Sequence, residues 1–176
     1  MTAPAVERTA ARRLAGRRAQ GNGAGFERWL SAYIFRPLIE RGHLLRADKT
    51  DAPMKALTDH ARGAVFVPCG VGGVDFVCLG TDGRYIACES KSVAEGRLYR
   101  DEILPHQAAH LADAVKAGGA AFLAVQFRQP SPIAYMVPWH AVPWATARSA
   151  QSVAAVDLVP WPLRNWLDAA RLLGKP

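Results

Sequence analysis

The stretch Val74-Asp75-Phe76-Val77-Cys78-Leu79-Gly80-Thr81-Asp82-Gly83-Arg84-Tyr85-Ile86-Ala87-Cys88-Glu89-Ser90-Lys91 decides how this chain folds. Two runs rich in β-branched, aromatic and other apolar residues flank Thr81-Asp82-Gly83, the pattern of a β-hairpin. Three-residue hairpin loops usually end in a left-handed residue, most often glycine, and Gly83 holds that place. With this loop Gly80 faces Arg84, and Asp75 falls opposite Glu89. Strand side chains alternate with period two, so Asp75, Glu89 and Lys91 share one face while Phe76, Cys78, Ile86 and Cys88 turn to the other, the expected core. A two-residue Asp82-Gly83 loop would instead put Asp75 opposite Ser90 and send the carboxylates to opposite sides. The site therefore depends on one turn.

Upstream, Phe26, Leu30, Tyr33, Ile34 and Leu38 recur at three- and four-residue steps and predict a helix over 25–42. Pro37 should loosen its last turn and Gly42 should stop it. Residues 44–63 are polar without a strong period and read as a connector. Ala64–Val67 reads as a short strand. Downstream, 102–117 reads as a helix with Leu104, Leu111, Ala114 and Val115 as buried candidates, ended by Gly118-Gly119. Ala120–Phe127 is an apolar strand and 132–137 another extended piece. Trp139, Trp144, Trp161 and Trp166 mark a C-terminal third expected to pack them as anchors, with a strand near 153–159 and a helix near 163–173. Strand, helix and strand in succession after the hairpin predict an α/β fold with a mixed sheet and helices on its faces.

The chain has 176 residues, half of them hydrophobic and 21% charged, enough for one domain with a sizeable core. Its net charge of +7 is unevenly placed: residues 1–49 hold ten Lys and Arg against four acids, and the remainder is nearly balanced. Arg12, Arg13, Arg17 and Arg18, followed by Gly21-Asn22-Gly23-Ala24-Gly25, read as a basic N-terminal arm over 1–24 ahead of a single domain over 25–176. Such arms neutralise phosphates or merely solvate the chain, and the clustering favours phosphates. No apolar run reaches the ~18–20 residues of a membrane span, and none precedes the arginines as in a secretory signal. A soluble, cytoplasmic protein is expected. Cys69, Cys78 and Cys88 have neither zinc-ligand spacing nor an even count, so they read as reduced packing residues.

Two like charges facing each other on a sheet destabilise it unless a cation lies between them. A hard divalent ion such as Mg²⁺ takes oxygen ligands and keeps several waters, so two carboxylates suffice as its protein core. A lysine two residues beyond reaches the attacking water or the scissile phosphate. Glu-x-Lys alone carries little information; the matched Asp, the tight turn and the basic arm give it weight.

These residues resemble the PD-(D/E)xK nucleases. Gly25-Phe26-Glu27 opens a helix ahead of the hairpin, and Arg84-Tyr85-Ile86-Ala87-Cys88-Glu89-Ser90-Lys91 is similar to the Tyr-Ile-x-x-Glu-x-Lys strand of RecU-type Holliday junction resolvases. His106-Gln107-Ala108-Ala109-His110-Leu111 resembles their His-Gln-x-x-His-Leu/Met helix, and Gly118-Gly119-Ala120-Ala121-Phe122 with Phe127 their next strand. The resemblance covers residues 25–127. It implies a restriction-endonuclease-like mixed sheet flanked by helices. It further implies a homodimer that binds a four-way DNA junction and nicks two opposed strands, using Mg²⁺ or Mn²⁺ and leaving 5′-phosphates. By position, Asp75 and Glu89 would be metal ligands, with the Ser90 carbonyl as a third. Lys91 would orient the water or stabilise developing charge, Gln107 would touch the metal or its water, and Glu27 would approach from the first helix.

Each assignment has a plainer counterpart. Gln107 also suits an ordinary helix surface, and Glu27 suits a first-turn acid that complements the helix dipole. His106 and His110 have the i, i+4 spacing of zinc ligands but no evident third partner, which favours packing or DNA contact. The chain also departs from the RecU pattern. Gly73-Val74 stands where a threonine is expected just before the catalytic aspartate, and only residues 44–72 are available for the family's junction-entering stalk, with Asp51-Ala52-Pro53-Met54-Lys55 as a shortened equivalent. Two other functions stay open: a restriction-type or single-strand nuclease of the same fold, and a non-catalytic DNA-binding protein.

Overall fold

The computed structural model describes residues 23–50, 54–59, 63–68, 72–94, 96–142, 144 and 151–174, with the backbone alone for 54–59 and 63–68. Its centre is a five-stranded mixed sheet in the order β1-β4-β5-β7-β8, from β1 (Leu44–Lys49), β4 (Phe76–Gly80), β5 (Tyr85–Val93), β7 (Ala120–Phe127) and β8 (Ile133–Pro138). Only β5 and β7 run parallel, joined by the crossover helix Pro105–Lys116. The expected α/β class, with helices on a mixed sheet, holds.

The hairpin has the expected register. Phe76 faces Cys88, Val77 faces Ala87, Cys78 faces Ile86 and Leu79 faces Tyr85. Gly80 N donates to Arg84 O at 2.8 Å, and Gly83 takes φ +81° at the third loop position. That conformation is cheap for glycine and costly for other residues, which is how the loop sets the pairing.

The crossover helix ends on a second glycine pair. Gly118 takes φ +82°, its N–H bonds Val115 O at 3.0 Å, and Gly119 N bonds Ala114 O at 2.9 Å, the Schellman closure. A Cβ on Gly119 would lie 2.6 Å from Tyr85 O, so this residue lets the helix end approach the start of β5. Gln107, Leu111 and Ala114 face the sheet. Leu104 and Val115, expected to be buried, are exposed: Leu104 precedes the first helical turn, and Val115 lies off the 107–111–114 stripe.

The sheet separates two apolar layers. Val74, Ala87, Leu111, Leu123, Val125 and Trp139 pack on the crossover-helix side. Phe76, Cys78, Ile86 and Cys88 pack on the other side under the N-terminal helix and the C-terminal helix Trp166–Leu172, as the alternation requires. The N-terminal helix occupies residues 23–40 and contains a π turn, Leu30–Phe35, immediately before Pro37. Arg36 N–H reaches back to Ser31 O, a five-residue step ahead of the proline that has no N–H to give. The extra residue shifts the buried stripe, so Phe35 is buried and Tyr33, expected in the core, is exposed.

The connector expected over 44–63 is not unstructured. Leu44–Lys49 forms the sheet edge against β4, and Met54–Asp59 (β2) pairs with Gly63–Pro68 (β3) as a separate two-stranded sheet. The edge strand is exposed at Leu45, Arg46 and Lys49 and also carries Asp48, the charged composition that protects sheet edges and hides their periodicity. A second two-stranded sheet joins β6 (Arg97–Tyr99) to β9 (Ser152–Ala154). The strand expected over 153–159 is therefore shorter, giving way to a 3₁₀ turn at Ala155–Leu158. Trp139 and Trp144 are buried as expected of anchors, and Trp166 carries Arg41 over its ring at 4.4 Å. Cys78 and Cys88 are buried free thiols, and Cys69 lies outside the described residues. Burial, reinforced by Asp48, pushes the Cys78 thiol up to about 12, consistent with a packing role. No described helix is long and apolar enough to cross a membrane.

Candidate active site

Asp75 lies one residue before β4, where regular pairing with β5 stops. Its carboxylate Oδ2 accepts hydrogen bonds from Ser90 N at 2.8 Å and Ser90 Oγ at 2.7 Å, which ties it to the second strand beside Glu89. From the edge strand, Thr50 N donates to Asp75 O at 2.8 Å and Thr50 Oγ1 donates to Val74 O.

Glu89 projects from the middle of β5 with no exposed surface. Lys91, two residues on and on the same face, places Nζ 2.8 Å from Glu89 Oε1. That contact is an ion pair without hydrogen-bond alignment, and Glu89 Oε2 has no hydrogen-bond partner among the described residues. Burial, followed by the Asp75 carboxylate, pushes the Glu89 carboxyl up to about 7, against the opposing pull of Lys91.

Gln107 comes from the crossover helix. Its Oε1 accepts from Leu104 N at 3.0 Å, closing the helix's first turn, and from Lys91 Nζ at 3.2 Å. Both lone pairs of that oxygen are engaged. One side chain thus caps the helix and anchors the lysine.

Asp75, Glu89, Ser90, Lys91 and Gln107, all expected in the site, are brought together. Glu27, from the N-terminal helix, pairs its Oε2 with Lys49 Nζ at 3.1 Å, one residue before the Thr50 that bonds the Asp75 backbone. Arg12, Arg13, Arg17 and Arg18 lie outside the described residues.

His110 Nε2 meets Tyr85 OH at 2.7 Å, with the two rings stacked at 6.2 Å and 13° from parallel. A Cβ on Gly73 would lie 2.8 Å from His110 Nδ1, so the imidazole fills the space a side chain at 73 would need. A cleft of about 900 Å³ runs past Tyr85, His106 and His110, but Asp75, Glu89 and Lys91 do not line it. Among the described residues no three His, Cys, Asp or Glu side chains form a group that could hold a metal ion.

No protein-family model matches the chain, and no curated protein matches its sequence. Among solved structures, the chain is similar to Hjc, a Holliday junction resolvase from the archaeal hyperthermophile Archaeoglobus fulgidus. The TM-score is 0.49 with 19% identity, over 88% of this chain and 97% of the other.

Chemically, the site offers two carboxylates with oxygen atoms left over, one ammonium and no thiolate or imidazole. That donor set suits a hard divalent cation that retains water. The unpartnered Glu89 Oε2, fully buried beside a second carboxylate, is the observation that fits such an ion. Thr50 escaped the sequence reading because it lies in a polar stretch with no period. The hydroxyl of Ser90 carries no sequence signal either, because its partner is set by where the Asp75 side chain turns after the regular pairing ends.

Proposed function

We propose that this chain is a metal-dependent, structure-selective DNA endonuclease that resolves four-way junctions by paired hydrolysis of phosphodiesters. The observation that carries this reading is the buried Glu89, facing Asp75 and ion-paired to Lys91, with one carboxylate oxygen unpartnered. Asp75 Oδ1, Glu89 Oε2 and the Ser90 carbonyl would hold Mg²⁺, or Mn²⁺ in its place. When bound, the ion polarises the phosphate and lowers the pKa of a water.

The chain's own residues supply the rest. Glu89 pairs with the Lys91 ammonium, which is aimed by Gln107 and placed to stabilise the negative charge that builds on the phosphate during attack. Gln107 acts here by orienting Lys91, because its oxygen has no lone pair left for a metal. Glu27 acts through Lys49 and the adjoining Thr50 rather than at the phosphate. The arginines of the N-terminal arm neutralise backbone phosphates. A homodimer sets two sites at a fixed separation that only branched DNA bends to reach, which makes geometry the source of selectivity.

The test is cleavage of a four-way junction, its linear duplex and its single strands, in Mg²⁺ or EDTA, by the native chain and by Glu89→Ala. Paired Mg²⁺-dependent nicks confined to the junction and absent in the variant are expected. Cutting of linear DNA would make it a restriction-type nuclease instead. Tight junction binding without cutting would make it an architectural protein.

A further inference from the structure

Asp75 stands outside the β4–β5 ladder, whose last pair is Phe76 with Cys88, so regular pairing with β5 does not hold its backbone. Two hydroxyl residues from different strands hold it instead. Thr50, at the end of the edge strand, binds the backbone on both sides through Thr50 N to Asp75 O and Thr50 Oγ1 to Val74 O. Ser90 binds the side chain through its N–H and its hydroxyl, both on Oδ2. A carboxylate oxygen offers about two lone-pair sites, so Oδ2 is filled and Oδ1 is the oxygen left over.

We propose that Ser90 and Thr50 are positioning residues that lock Asp75 so that it offers one oxygen, Oδ1, to a cation shared with Glu89. This rests on the metal-site reading above and adds a specificity to it. A carboxylate restricted to one oxygen suits a small ion with near-octahedral geometry and disfavours Ca²⁺, which takes six to eight oxygens and often a bidentate carboxylate. Ser90 has the stronger claim, because its hydroxyl donates to a charged acceptor and the residue itself is only 8% exposed. Thr50 fixes the peptide from which that side chain springs.

The experiment is calorimetric titration of the metal-free full chain with Mn²⁺ and with Ca²⁺, beside a thermal melt of each variant. Ser90→Ala should weaken Mn²⁺ binding by about tenfold, the effect of one hydrogen bond to a charged group, and narrow the preference for Mn²⁺ over Ca²⁺. Ser90→Thr, which keeps the hydroxyl, should restore both. If Ser90→Ala does not melt cooperatively, Thr50→Val decides, with the same expected direction and Thr50→Ser as its rescue. Glu89→Ala separates this inference from the reading beneath it. Loss of Mn²⁺ binding in Glu89→Ala, with native binding and native preference in Ser90→Ala, would overturn the positioning role alone. Undiminished Mn²⁺ binding in Glu89→Ala would overturn the metal site and this role together.

Discussion

Gln107 Oε1 lies 3.2 Å from Lys91 Nζ and 3.0 Å from Leu104 N, so the residue that starts the crossover helix also holds the lysine of the site. The parallel β5–β7 pairing requires that crossover, and the crossover in turn delivers Gln107 to Lys91. Fold and chemistry share one oxygen atom.

Gln107→Ala should therefore have two separable effects. Losing the helix-start bond should cost about 1 kcal/mol in urea unfolding. Cleavage should fall further than that stability loss accounts for, because Lys91 is released. Gln107→Leu, which keeps the volume but lacks the acceptor, should behave as Gln107→Ala in both assays; a variant with native nicking rates would remove Gln107 from the mechanism.

The raised Glu89 carboxyl makes stability depend on pH. In the metal-free native state it stays protonated up to about pH 7, whereas in the unfolded chain it ionises near its ordinary 4.5. The folded state binds the extra proton in that window, so stability falls as pH rises through it, by an amount on the order of a few kcal/mol. Urea midpoints from pH 5 to pH 8 should show the decline in EDTA. Glu89→Gln should flatten it.

Lys91→Met removes the charge partner of a fully buried carboxylate. At pH 8 it should cost about 3 kcal/mol, and the double variant with Glu89→Gln should recover most of that, since a neutral pair leaves no uncompensated charge. Additive losses in the double-mutant cycle would mean that the two side chains do not interact.

Gly119→Ala should destabilise by about 1–3 kcal/mol because its Cβ meets backbone, Tyr85 O at 2.6 Å and Ala114 O at 2.9 Å, which cannot swing aside. Gly83→Ala meets no atom within 4 Å and should cost only the strain of its φ of +81°, about 1 kcal/mol. Thermal melts of the two variants rank these costs.

If Arg12, Arg13, Arg17 and Arg18 each meet a phosphate, replacing all four with Ala should reduce the slope of log affinity against log salt by about 0.9 per lost contact on duplex arms. Mn²⁺ binding should stay native. An unchanged slope would remove the arm from DNA binding.

Much of the site was legible because it obeys local rules. Gly83 set the loop, the loop set the register, and period-two alternation then placed Asp75, Glu89 and Lys91 on one face and Phe76, Cys78, Ile86 and Cys88 on the other. The stop at Gly118-Gly119 is equally local. Other features were not legible. Leu44–Lys49 is a strand because β4 offers it an edge, not because its own residues alternate. Tyr33 gave up its buried place to Phe35 through the π turn beside Pro37, a shift that no fixed helical period anticipates.

The sequence by itself determined which residues face each other across the hairpin, since turn geometry and side-chain alternation act over a few bonds. Only the tertiary structure decided that Gln107 turns to Lys91, that Glu27 turns to Lys49, and that Thr50 and Ser90 hold Asp75 from two sides. Those contacts join segments far apart in the chain, and their partners are chosen by packing across the sheet, for which the local pattern carries no signal.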